Sequence, residues 1–86
     1  MDDGDSRQRR AFRDETLVVV RAAVGRALAS DHAAFATAVK LLYKVCNVYL
    51  DAQPSPPMSM AAHAAAAADV AAQNAPMAVT WALRHG

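Results

Sequence analysis

Few side chains in this chain could bind a metal or act as a nucleophile: His32, Cys46, His63, His85 and eight acids. A metal site needs three or four ligands that converge. No two of these histidines and cysteine fall three or four apart on a helix, and there is no CxxC pair. No metal and no cofactor are therefore expected, and Asp31-His32 reads as the start of a helix. Cys46 falls on the apolar side of a helical segment, where a cysteine acts as a small hydrophobe and not as a thiolate. Asp14 and Glu15 are adjacent and point to different sides of a helix, so they do not form an acid–base pair. The three glycines, Gly4, Gly25 and Gly86, make neither a phosphate loop nor a dinucleotide fingerprint. No enzyme activity is expected.

The remaining chemistry is that of surfaces. Arg7, Arg9, Arg10 and Arg13 open a possible basic arm, continued by Arg21 and Arg26. Asp2, Asp3, Asp5, Asp14 and Glu15 offset it, and the whole chain carries +1. Phosphate binding draws on a clear basic excess, so a nucleic-acid surface is unfavoured. An amphipathic membrane-surface helix over residues 7–26 is disfavoured by the same acids and by the lack of aromatics beyond Phe12. These two remain the alternative to protein–protein interaction.

The elements that must position these residues are helical. Residues 1–6 are polar and expected to be disordered, and residues 7–86 to form one small helical domain. Arg13, Leu17, Val20, Val24 and Leu28 recur at spacings of three and four and predict a helix over 7–29, with Ser6 as its cap. Gly25 either weakens its second half or marks a close helix–helix approach. Ser30-Asp31 ends this helix and caps a second over 31–52. There Thr37, Lys40, Lys44, Asn47 and Asp51 form a polar stripe opposite Phe35, Val39, Leu42, Val45, Cys46 and Tyr49. Residues 53–57 are a proline-rich linker, with Ser55-Pro56 able to start the next helix. Residues 58–73 are alanine-rich and helical by propensity. Asn74-Ala75-Pro76 is expected to interrupt the chain before a short helix over 77–85, anchored by Met77, Val79, Trp81 and Leu83.

Composition sets the weight of these elements. Alanine accounts for 22 of the 86 residues, isoleucine is absent, and 14 of the 17 Leu, Val and Phe residues lie between Phe12 and Leu50. An alanine buries little area. The first two helices are therefore expected to form a hairpin that carries the apolar surface, with the alanine helix either packed on it or free of it. A single cysteine excludes a disulfide scaffold. The start Met1-Asp2-Asp3-Gly4-Asp5 lacks a secretory signal, and no stretch reaches the ~20 apolar residues of a membrane span. The expectation is a soluble protein in a reducing intracellular compartment, cytoplasmic by default.

Ala34-Phe35, Lys40-Leu41-Leu42-Tyr43, Asn47 and Leu50 resemble the central helix of PUB domains. The resemblance stops there. The basic segment that follows in that family is replaced by Ser55-Pro56-Pro57-Met58-Ser59-Met60, and no functional residue carries over.

The fold expected is all-α: a helical hairpin, an alanine-rich third helix and a short C-terminal helical turn, a bundle of three to four helices. The function expected is non-catalytic protein–protein interaction, as a small accessory subunit or by self-association, with no small-molecule substrate. Leu17, Val20, Val24, Leu28, Phe35, Val39, Leu42 and Tyr49 on the first two helices would carry it. Trp81 would either anchor the partner or plug the hairpin.

Overall fold

The computed structural model describes residues 3–28, 30–53 and 59–85. Among them the chain forms three helices and no strand: α1 (Asp3–Gly25), α2 (His32–Asp51) and α3 (Met60–His85).

The helix ends follow from local chemistry. α1 begins at Asp3, inside the segment expected to be disordered, and Ser6 lies within the helix and not at its cap. Acidic residues favour a helix N-terminus through the backbone dipole, and this chain opens with three aspartates among its first five residues. α1 ends at Gly25, short of the expected 29. Val24 O accepts from Ala27 N and Leu28 N, both at 3.0 Å, which closes the last turn. Gly25 has no left-handed φ, and a Cβ there would meet Phe35 Cε1 at 3.7 Å, an ordinary contact. It is not a close-approach glycine. Asp31 caps α2, with its carboxylate accepting from Ala34 N at 3.0 Å. Ser59 does the same for α3, its hydroxyl accepting from Ala62 N at 3.1 Å. The Ser55-Pro56 start lies outside the described residues.

The expected break at residues 74–76 does not occur. α3 runs unbroken through Pro76, so the short helix expected over 77–85 is the end of α3. Proline removes one backbone donor, and the carbonyl deprived of it belongs to Ala72. Both Ala72 and Pro76 are exposed, so water can serve that carbonyl. Ala71, Ala78 and Ala82, on either side of the proline, are buried against the other helices and hold the helix together across it.

Two contacts set the topology. Arg13 Nη2 donates to Asp51 Oδ2 at 2.8 Å, so the middle of α1 lies beside the end of α2. Phe12 and Thr16 both meet His63, so the same part of α1 lies beside the start of α3. The bundle is therefore up-down-up, with α1 parallel to α3 and α2 antiparallel to both.

The core corrects the expected hierarchy. Thr16, Val20 and Val24 of α1 and Leu28 just beyond its end are buried at intervals of four, as are Ala34, Ala38, Leu42, Cys46 and Leu50 of α2. α3 contributes His63, Ala67, Ala71, Ala78 and Ala82. α3 makes more extensive contact with α1 and with α2 than those two make with each other. The alanine helix is thus not an addition to a hairpin but the element that both other helices pack on. Alanine's small side chain lets backbones approach closely, and the larger valines and leucines of α1 and α2 fill the space left.

Candidate interaction surface

The chemistry-bearing residues are placed apart. Among the described residues no group of three or more His, Cys, Asp or Glu comes together. Cys46 is free and fully buried, and burial pushes its thiol up to about 11. His32 is exposed one residue after the Asp31 cap. His85 lies against Trp81, with ring centroids 4.5 Å apart.

His63 is the exception, and its role was not visible in the sequence. Its Nε2 lies 2.7 Å from Thr16 Oγ1, and its ring stacks on Phe12 at 4.4 Å with a 13° interplanar angle. A hydroxyl beside an imidazole is the pairing that a nucleophile and its base would make, and here both groups are buried between α1 and α3. Thr16 donates its single proton to Phe12 O at 2.9 Å. With that proton on Phe12 O, the oxygen accepts from His63 in its Nε2–H tautomer. Thr16 is fully buried and His63 is 6% exposed, so the pair is a polar latch between α1 and α3.

The nine residues expected to bind a partner divide by exposure. Val20, Val24, Leu28 and Leu42 are buried and form the core, so they are spent within the molecule. Leu17, Phe35 and Val39 are half-buried, with Phe35 and Val39 packed against the core. Tyr49 and Trp81 are exposed, at 53% and 45%. The reason for the shift is the alanine core of α2. Ala34 and Ala38 take the inward positions, and the bulkier Phe35 and Val39 flank them.

Large apolar residues that the sequence reading did not assign to an interface are also exposed: Val18, Val48, Met60, Met77 and Leu83. Met77 precedes Trp81 by one helical turn in α3 and Val48 follows Lys44 by one in α2, spacings legible in the sequence. Trp81 is the meeting point of two shallow depressions. One, of about 390 Å³, is lined by Ala36, Thr37, Lys40, Leu41 and Lys44 of α2. The other, of about 410 Å³, is lined by Pro76, Met77, Thr80, Arg84 and His85 of α3. A larger apolar groove of about 690 Å³ runs between α1 and α3, bordered by Val19, Ala23, Arg26, Ala72, Pro76 and Val79.

α2 is long and apolar enough to cross a membrane by length and composition, which the sequence reading had not expected of any stretch. Its midpoint carries Lys40 and Lys44, which would have to enter hydrocarbon in such a placement.

Compared with protein-family models, with curated proteins and with solved structures, the chain matches none. The PUB-domain resemblance therefore finds no support, and the described residues contain no strand.

Proposed function

We propose that this protein is a non-catalytic protein–protein interaction module, an accessory subunit that docks through the Trp81 face of α3 and the neighbouring side of α2. The observation that carries this reading is the exposure of Trp81 and Met77, one turn apart on a helix whose inward face is already filled by alanine. Isolated exposed apolar residues are ordinary on protein surfaces. A tryptophan between two depressions, flanked by further apolar side chains, is the type of residue that dominates binding energy at interfaces. The buried Val20, Val24, Leu28 and Leu42 hold the module together, and the exposed residues meet the partner.

The test is purification of the tagged chain from its native cells, with stoichiometry by quantitative mass spectrometry. Near-equimolar recovery of another protein supports the reading. Recovery of the chain alone rejects it.

The second reading is an acidic-lipid or nucleic-acid surface formed by the start of α1. Arg13 pairs with the last residue of α2, and Phe12 lies level with His63 near the start of α3. His63 is the fourth residue of α3, so the six residues Asp3–Gln8 reach past the start of α3, by about 9 Å at the helical rise. Arg7, Arg9 and Arg10 at this end of α1 are exposed. Binding of this kind would weaken steeply with added salt.

A further inference from the structure

We infer that the occupant of the Trp81 surface is an acidic peptide segment with an apolar face. This rests on the protein-interaction reading above and names the chemistry of the partner. The two depressions beside Trp81 have apolar lining from Leu41 and the indole on one side and from Met77 and Pro76 on the other. Their rims carry Lys40, Lys44 and Arg84, all exposed, and no acidic residue lines either depression. Neither lysine pairs with a carboxylate among the described residues. Along the first half of α1 cations and acids are mixed instead: Arg13 pairs with Asp51, and Arg7 to Arg10 lie between Asp5 and Asp14 in sequence. A surface with one sign of charge beside apolar groups selects a segment of the opposite charge, because a cationic partner would meet like charge and a neutral one would leave the rim unpaired.

The same residues fit other anionic partners less well. Single-stranded nucleic acid stacks its bases on successive aromatic platforms, and this surface offers one indole. A bilayer takes a continuous apolar face, whereas here Lys40, Lys44 and Arg84 stand beside the apolar groups of the depressions. Two depressions sharing one tryptophan suit two side chains of a peptide, with its carboxylates over Lys40, Lys44 and Arg84.

Trp81 is the sole tryptophan, so its fluorescence reports this site alone. The experiment is to pan a random-peptide phage library on the folded chain and to titrate the enriched peptides against Trp81 emission. The expected result is enrichment of peptides rich in Asp and Glu with interspersed large apolar residues, which shift that emission on binding. The double variant Lys40→Glu/Lys44→Glu should keep its helical content and weaken binding by about tenfold or more. Replacing the peptides' acids with lysine should restore binding to that variant. Several outcomes overturn the inference: no acidic enrichment, affinity indifferent to the charge reversal, or tighter binding of oligothymidylate or of phosphatidylserine vesicles at this face. If the native partner from the purification above binds wild type and charge-reversed chain equally, the acidic-peptide inference fails and the interaction reading stands. If no partner is recovered, the interaction reading itself fails.

Discussion

Thr16 and His63 show how one polar pair can decide a helix register. The hydroxyl sits inside an otherwise apolar stripe, gives its proton to Phe12 O and takes one from the imidazole. Replacing Thr16 with valine keeps the volume and leaves the buried Nε2–H without a partner, a loss of about 1–3 kcal/mol. Thr16→Ser keeps both bonds and should lose less. Thermal melts of the two variants check the order, and a Thr16→Val protein as stable as wild type would remove the latch from the account. Cys46 gives a second prediction at this scale. Its thiol is moved from an ordinary 9.0 to about 11 by burial, so between those values the unfolded chain ionises and the folded one does not. Stability should therefore be level up to about pH 9 and fall as pH rises toward 11. Cys46→Ser should abolish that fall, as read in denaturant titrations across the range. Neither residue's partners could be read from the sequence. Thr16 and His63 lie 47 positions apart, and a histidine within an alanine tract looks the same whether it faces solvent or a stacked phenyl ring.

At the scale of the element, the boundary between legible and illegible follows side-chain size. The second helix could be read closely because Asp31 is a strong cap and Lys40, Lys44 and Asp51 mark a solvent stripe. Its inward face was displaced, however. Phe35 and Val39 outweigh Ala34 and Ala38 in any reading by hydrophobicity, yet the alanines are the buried pair. α3 repeats this along its whole length. The recurrence of small residues at intervals of four was the available signal, and a reading that ranks residues by apolar area passes over it. Pro76 misled for a different reason. Propensity disfavours proline within a helix, but packing on both sides of the proline outweighs that preference. If α3 is the shared seam, Ala71 has no room to grow. Ala71→Leu should cost about 1–3 kcal/mol through overpacking. Ala72→Leu, on the exposed side of the same helix, should change stability by no more than about 0.5 kcal/mol. Chemical denaturation of the pair distinguishes them, and equal stability would contradict the seam.

The whole molecule is a short rod of 42 × 22 × 19 Å, with a radius of gyration of 13.4 Å. A spherical domain of this length would have a radius near ~12 Å, and the excess fits helices of unequal length laid side by side. Their staggered ends leave different chemistry at each pole. The N-terminal turns of α1 project at the end that carries its exposed arginines, and the last turns of α3 run past the end of α1 with Trp81 and Leu83 uncovered. The all-helical architecture was legible from composition and spacing. The packing hierarchy was not, because it depends on alanine contacts that sequence periodicity weighs lightly. The division of the nine expected partner-binding residues into core and surface depends on the same contacts.

The central claim is that the residues left exposed beside Trp81, and not the apolar stripes of α1 and α2, meet a partner protein. Parallel purification of tagged wild type and of Met77→Ala/Trp81→Ala from native cells tests it most directly, with circular dichroism confirming that both remain helical. The account predicts a near-equimolar partner with wild type and its loss from the double variant. A partner retained undiminished by the variant, or no partner with wild type, would contradict it.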